Sequence, residues 1–136
     1  MKRDDFIKVT ETIYKKYGVK TLFDNSVDKD NGWYNDNEIH LSNNYSNNSI
    51  MLAVWCHEFG HYIIDTRFSK RYDVKNIFQC EFKAWDIAQQ IHYEYFGKPF
   101  NKMQGNFCLR CIKTYSKSHY DFRKKDNVYG KENAIE

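Results

Sequence analysis

The sequence contains no apolar run that approaches the length of a membrane span, so it does not predict a transmembrane helix. It also does not begin as a secretory signal does, because Asp4 and Asp5 stand where an apolar segment would follow the first basic residues. We therefore expect a cytoplasmic protein. In that compartment its four cysteines would be reduced or bound to a metal ion rather than paired in disulfides.

A strong excess of one charge is absent as well. The net charge is +3, and the basic residues are interspersed with acidic ones, a balance that does not favour a nucleic-acid partner. The missing apolar run argues against a membrane partner. Basic residues do gather between Arg110 and Lys125, but such a run is more typical of a solvated face. A nucleic-acid-binding module that uses this face remains an alternative, and binding that collapses with rising salt would support it.

Internal repeats and signs of a second domain are also lacking. The 136 residues suffice for one hydrophobic core, and an aromatic content of 18% argues against disorder. We predict one domain over residues 1–123, followed by a polar C-terminal tail over residues 124–136. The sequence carries no signal of an oligomeric state.

The order of helix and strand patterns predicts an α+β fold. An N-terminal helix over residues 4–17 has one apolar face and ends before Gly18. A small, mostly antiparallel sheet of two or three strands follows over residues 19–42. The remaining predictions are a central helix over residues 49–65, a helix over 73–96, a loop over 100–105 and a C-terminal helix over 108–122.

The central helix carries the segment HEFGH at residues 57–61. His57 and His61 are four residues apart, so they project from one helical face and can bind one metal ion. Glu58 can reach a water molecule activated by that ion. Gly60 lowers helix propensity, which indicates that another element packs very close to it.

A catalytic zinc ion takes three protein ligands, so a third must come from outside this segment. Glu81 is the best candidate, because it lies on the apolar stripe of the next helix, where an unpaired carboxylate is costly. Asp65 is the rival, one turn beyond His61. Three ligands along one straight helix cannot surround an ion, so we expect Asp65 to be a hydrogen-bond partner of a ligand instead.

The HEFGH segment resembles the zincin metallopeptidases. The segment EFKAWDIA at residues 81–88 resembles the E-x-x-A-x-x-hydrophobic-A pattern of one branch, the ImmA/IrrE-type family. These are small cytosolic zinc peptidases of bacteria, phages and mobile elements. The likeness covers about residues 1–99. It departs at Lys83 and Trp85, where the family often has an acid and an Asn or Asp.

The resemblance implies a minimal, gluzincin-like zincin core that hydrolyses a peptide bond in a specific cytosolic protein, such as a transcriptional repressor. It implies that His57, His61 and Glu81 hold one catalytic Zn²⁺ and that Glu58 is the general base. A tyrosine or histidine is expected to stabilise the oxyanion, and the sequence does not choose among Tyr34, Tyr45, Tyr62 and His119.

A short strand precedes the central helix and alternates polar and apolar residues. We expect it to be an exposed edge that receives an extended peptide substrate by strand addition. His40 would then be a surface residue on the face opposite its apolar neighbours. This predicted substrate strand consists of Glu38, Ile39, His40, Leu41 and Ser42.

Cys108 and Cys111 form a C-x-x-C pair, which is half of a zinc site. They are interpreted first as small buried residues at a helix start. Alternatively, they bind a second, structural zinc ion with His119 or Cys80. They could also close a site with the two motif histidines, which would make the chain a non-catalytic, zinc-stabilised regulatory or binding protein of a phage or mobile element. A redox role is the fourth alternative.

Overall fold

The computed structural model describes residues 3–68 and 77–126, with side chains for residues 3–66 and 79–114. Within these ranges it has an α+β fold, which confirms the predicted class. The elements are α1 (Arg3–Tyr17), β1 (Lys20–Phe23), β2 (Gly32–Asn35), β3 (Glu38–Leu41), α2 (Asn48–Ile63), a π-helical turn (Ile64–Phe68), α3 (Ile77–Phe96) and α4 (Lys102–Asp126).

The sheet has the strand order β1-β3-β2. Strand β2 pairs antiparallel with β3, and β1 pairs parallel with β3, so the sheet is mixed rather than mostly antiparallel. The β2–β3 hairpin turns at Asp36 and Asn37, whose φ angles of 48° and 67° lie in the left-handed region that tight two-residue hairpins require. The long connection from β1 to β2 lets β3 return between the two other strands.

The prediction that the strand from Glu38 to Ser42 is an exposed edge is therefore wrong. β3 is the central strand, and both of its edges are already paired with neighbouring backbone. It has no free row of backbone groups to offer an incoming peptide. Among the described residues, β2 pairs on one side only.

Helix α2 is buried from Ile50 to Gly60 and forms the centre of the molecule. Asn47 caps its start, where Oδ1 accepts a hydrogen bond from the backbone N–H of Ile50 at 3.0 Å. Trp55 fixes the helix to β1 by donating from Nε1 to Thr21 Oγ1 at 2.9 Å. The helix is thus surrounded by other elements, as its apolar character on nearly all sides predicts.

Gly60 lies where α2 and α3 pack very closely beside the site. A Cβ atom at this position would lie 2.8 Å from the backbone oxygen of Ala84. The absence of a side chain here lets the two helices pack backbone to backbone, which confirms the expectation of a close neighbour. This close packing brings Glu81, one turn before Ala84, within reach of α2.

Helix α4 begins at Lys102, so the loop predicted over residues 100–105 is largely wrong. Asn101 and Gln104 form a reciprocal cap: the N–H of Gln104 donates to Asn101 Oδ1, and the N–H of Asn101 donates to Gln104 Oε1, both at 2.8 Å. The helix also continues to Asp126, into the predicted tail, whose residues 127–136 lie outside the described ranges. None of the described helices combines the length and the apolar character that a membrane crossing demands.

Candidate metal centre

Helices α2 and α3 bring three polar side chains together. Nε2 of His57 lies 3.0 Å from Oε1 of Glu81, and Nε2 of His61 lies 2.8 Å from Oε2 of the same carboxylate. One ligand atom from each of the three residues lies within 4.8 Å of the other two. The structure therefore joins the three residues that the sequence predicts as ligands, and the two histidines reach Glu81 from successive turns of one helix.

Burial and charge shift the pKa values of this cluster in opposite directions. Burial alone would lower the pKa of His57, but contacts with the carboxylates of Glu58 and Glu81 outweigh it and raise the pKa to about 9. Burial would raise the pKa of Glu81, but the neighbouring rings of His57 and His61 lower it to about 2. Without a metal ion, protonated His57 and the carboxylate of Glu81 therefore attract each other. A bound metal ion could supply the positive charge in place of this proton.

The donor set fits a metal ion. Nε2 of His57 and Oε1 of Glu81 are fully buried and lie 3.0 Å apart as an ion pair, but not in the geometry of a good hydrogen bond. Buried polar atoms usually make well-aligned hydrogen bonds, so this orientation suits two atoms that point towards a shared metal ion. Two imidazole nitrogens and a carboxylate oxygen match the ligands that zinc takes in catalytic sites. In the part of the chain that the structure describes, this is the only such group of three or more residues.

Glu58 is buried on the side of α2 that faces the sheet. Nδ1 of His57 donates a hydrogen bond to Glu58 Oε2 at 3.2 Å, which leaves Nε2 as the ring atom that faces Glu81. A Cβ atom at Gly32, the first residue of β2, would lie 3.5 Å from Cγ of Glu58. The second carboxylate of the site therefore lies between the first ligand and the start of β2.

Among the described side chains, Asp65 makes no hydrogen bond to a predicted ligand. It lies in the π-helical turn after α2 and is exposed. The free nitrogen of His61, Nδ1, instead faces Sγ of Cys80 at 4.0 Å. The change from α-helix to π-helix after Ile63 explains why Asp65 does not continue the ligand face of α2.

The three tyrosine candidates differ in how their hydroxyl groups are used. Tyr45 donates to the backbone oxygen of Asn31 and accepts from the N–H of Ser42. The hydroxyl of Tyr62 donates to the backbone oxygen of Tyr17 at 3.4 Å. Tyr34 is half-buried on β2, and its ring meets that of Tyr62 edge-on with centroids 6.0 Å apart. Burial raises the pKa of Tyr34, so this phenol stays protonated and able to donate.

The cysteine pair lies on α4. Cys108 is part of the hydrophobic core and Cys111 is half-buried against it, which agrees with the first interpretation of the pair. Burial raises the pKa of each thiol to about 11, so neither is readily a thiolate. Neither belongs to a metal-ligand group among the described side chains. His119 lies in α4, but its side chain is outside the described ones.

His40 is not a surface residue. Its ring is half-buried between two carboxylates, with Nδ1 3.0 Å from Asp24 Oδ2 and Nε2 2.9 Å from Glu38 Oε1. The indole of Trp33 stacks on the ring at a centroid distance of 3.8 Å. Strand alternation correctly places His40 on the face opposite Ile39, but it does not reveal that Trp33 from β2 and Asp24 from the loop after β1 cover that face.

Trp85 also lies at the site, although the sequence alone indicates no role for it there. Its indole ring lies against the imidazole of His57, with centroids 4.1 Å apart and nearly parallel planes. The sequence signal for this position is its spacing, four residues after Glu81 on the same helical face.

The chain matches no protein-family model, no curated protein and no solved structure.

Proposed function

We propose that the protein is a zinc metallopeptidase of the ImmA/IrrE type that hydrolyses a peptide bond in a specific cytosolic protein, such as a transcriptional repressor or regulator. The observation that carries the proposal is the cluster of His57, His61 and Glu81, whose ligand atoms lie within 4.8 Å of one another. A fourth residue, Glu58, places a second carboxylate beside the first ligand. This combination of two histidines and two carboxylates is what metal-assisted amide hydrolysis needs.

A bound zinc ion supplies two things at such a site, a water molecule of lowered pKa and a polarised carbonyl group. Glu58 is the general base in this proposal: its carboxylate takes a proton from the attacking water and passes it to the leaving nitrogen. The hydrogen bond from His57 Nδ1 to Glu58 Oε2 fixes both side chains before the substrate arrives. Tyr34 is the proposed hydrogen-bond donor to the oxyanion, because the hydroxyl groups of Tyr45 and Tyr62 are committed to backbone oxygens.

Strand β2 is the proposed docking edge for the substrate, in place of β3. Its unpaired edge offers backbone N–H and C=O groups to an extended peptide. Gly32 at its start approaches both Val54 and Glu58 on α2, since a Cβ atom there would lie 2.7 Å from Val54 Cγ1 and 3.5 Å from Glu58 Cγ. A peptide along this edge would run past the carboxylate that acts as the base.

One observation favours a second function, a non-catalytic regulatory or binding protein that uses zinc for stability. Glu58 is already paired with His57 Nδ1, so its carboxylate could serve only to orient that ligand. In this alternative the metal ion joins α2 and α3, and the protein acts by contact.

Replacement Glu58→Gln separates the two functions. The amide keeps the shape of the side chain and removes its basicity, so zinc content should be retained. Peptide cleavage should fall by about two to four orders of magnitude, which is the usual contribution of a general base. The matched control is Glu11→Gln, an isosteric change at an exposed position of α1, which should leave cleavage unchanged.

Because the substrate is unidentified, the probe is a mixture of peptides of random sequence, with newly formed amino termini labelled and sequenced by mass spectrometry. New termini from the zinc-loaded wild type, and their absence with Glu58→Gln, are the expected results. A zinc-loaded wild type that produces no new termini from the mixture or from a cell extract would contradict the peptidase and favour the regulatory protein. Ready digestion of unfolded casein would contradict the narrow substrate range.

A further inference from the structure

Trp85 covers one side of the candidate metal centre. Its indole ring lies parallel to the imidazole of His57, with centroids 4.1 Å apart and an interplanar angle of 11°. Trp85 follows Glu81 by four residues on α3, so both side chains project from the same face of that helix. The stack therefore connects the two ligand-bearing helices through a ring that is not itself a ligand.

The indole ring is itself held in place. Trp85 is 2% exposed, and the rings of Phe100 and Phe107 meet it edge-on at centroid distances of 6.3 Å and 6.1 Å. Its Nε1 atom is buried without a hydrogen-bond partner among the described residues. A polar N–H group is thus kept out of water at a position where a purely apolar ring would avoid that cost. This unpaired group indicates that the position is not optimised for packing alone.

Two contacts then fix the His57 ring in different ways. The hydrogen bond from Nδ1 to Glu58 Oε2 limits rotation of the ring within its own plane. The stack on Trp85 limits tilting of that plane, and Nε2 is left facing Glu81 Oε1 at 3.0 Å. The face of an indole is rich in electrons and attracts positive charge more strongly than other aromatic side chains do. An imidazole that binds a cation carries part of its charge, so the stack favours the metal-bound ring.

We infer that Trp85 is a positioning residue of the metal centre: it holds the imidazole of His57 in the plane that ligation needs and strengthens the binding of a divalent cation. The inference rests on the metal centre of the proposed function, but not on peptidase activity. In most metal sites a hydrogen-bonding side chain orients the histidine ligand. Here Trp85 shares that task by stacking on the ring.

The affinity of the full chain for zinc, measured by competition with a chelating dye, tests this inference. Trp85→Leu removes the aromatic face, and Trp85→Phe keeps a ring that can stack. We expect Trp85→Leu to weaken zinc binding about tenfold to a hundredfold, as loss of a ligand-supporting side chain usually does, and Trp85→Phe to restore most of the affinity. Trp55→Phe is the matched control, because Trp55 is a fully buried core residue bonded to Thr21, and it should bind zinc as the wild type does.

The Co²⁺ form provides a second measurement that a merely structural role would not change. Without the stack, His57 can tilt, so the visible absorption bands of bound Co²⁺ should shift in Trp85→Leu and stay unchanged in Trp55→Phe. If Trp85→Leu does not fold, Trp85→Met takes its place, since it fills more of the space without an aromatic face. Equal zinc affinity in the wild type and the folded aliphatic variant would overturn the inference alone, as would an equal loss in Trp55→Phe. A wild type that binds no zinc would overturn the metal centre as well.

Discussion

Two buried clusters each contain a histidine, one on α3 and one on α2. The partners of the two histidines differ, and this difference distinguishes a structural histidine from a candidate metal ligand. The first surrounds His92, which is 4% exposed. Its Nδ1 donates to the backbone oxygen of Lys98 at 2.6 Å, and its Nε2 accepts from Nε2 of Gln104 at 3.0 Å. Gln104 also donates to the backbone oxygen of Ser49 and accepts from the N–H of Asn101. Both ring nitrogens are satisfied by neutral groups.

The second cluster is the candidate metal centre, where His57 is similarly buried, with 7% of its surface exposed. Here a nitrogen of His57 and a carboxylate oxygen of Glu81 form an ion pair at 3.0 Å outside good hydrogen-bond geometry. The pKa shifts reflect the contrast: burial lowers the pKa of His92, whereas carboxylates raise that of His57 to about 9. A buried histidine with neutral hydrogen-bond partners stabilises the packing of helices, whereas one that faces a buried carboxylate could hold a cation.

The largest expected effect comes from exchanging the two histidines for alanine, one at a time. His57→Ala removes one of three ligands and should weaken zinc binding on the order of a hundredfold or more, because each ligand of a zinc site contributes several kcal/mol. His92→Ala should keep the zinc affinity and lower the free energy of unfolding by about 1–3 kcal/mol, since it leaves Gln104 and the Lys98 carbonyl unpaired. Competition with a chelator and urea denaturation of the metal-free variants measure the two quantities. Loss of zinc binding in His92→Ala, or full zinc binding in His57→Ala, would contradict the assignment of His57 as a ligand and His92 as a structural residue.

A smaller effect is expected where the helices approach each other. Gly60→Ala places a Cβ atom 2.8 Å from the backbone oxygen of Ala84, so α3 must move, at a cost of about 1–3 kcal/mol. The displacement should also weaken zinc binding, because Glu81 is one turn away. Gly105→Ala is the matched control: a Cβ atom there meets nothing within 4 Å, and helix propensity should stabilise the fold by about 0.5–1 kcal/mol. Thermal unfolding that ranks the two variants in the reverse order would show that the close approach is unimportant.

The pH dependence of the metal-free protein should show opposite slopes for the two clusters. The pKa of His57 rises from 6.5 to about 9 on folding, so its contribution is complete below about pH 6.5 and is lost as pH rises through 9. The pKa of His92 falls below 6.5 on folding, so protonation favours the unfolded chain, and stability declines as pH drops through and below that value. The pKa of Glu81 falls from 4.5 to about 2, so its contribution is present above pH 4.5 and lost towards pH 2.

Urea denaturation in a chelator between pH 5 and pH 10 measures these slopes, each at most about 1.4 kcal/mol per pH unit for one proton. His57→Ala should flatten the decline on the alkaline side, and His92→Gln should flatten the decline on the acid side. An alkaline decline that persists in His57→Ala would mean that another group causes it.

Local periodicity made much of the candidate site predictable. The spacing of His57 and His61 places both rings on one face of any helix, and a carboxylate at position 81 on an apolar stripe required a partner. Gly60 indicated a close neighbour, because a glycine inside a helix lowers helix propensity without such a contact to explain it. The start of α4 is Lys102, six residues before the predicted start at Cys108. The spacing of Asn101 and Gln104, three residues apart, is a capping signal for this earlier start.

Non-local features account for the other errors. Strands of four residues carry too little pattern to fix their order, so the central position of β3 depends on pairings that only the folded chain reveals. The burial of His40 depends on Asp24, sixteen residues earlier, and on Trp33 from the neighbouring strand. The stack of Trp85 on His57 likewise joins residues from two helices, and helix periodicity alone indicates only which face each one occupies.

The zinc content of three purified chains tests the metal centre most directly: the wild type, Glu81→Ala and Cys111→Ser, each measured by elemental analysis after dialysis. The structure places Glu81 within 3.0 Å of both histidine rings, and it places Cys111 in none of the described metal-ligand groups. We predict one zinc ion per chain in the wild type and in Cys111→Ser, and none retained by Glu81→Ala. Full zinc in Glu81→Ala together with loss of zinc in Cys111→Ser would contradict the account.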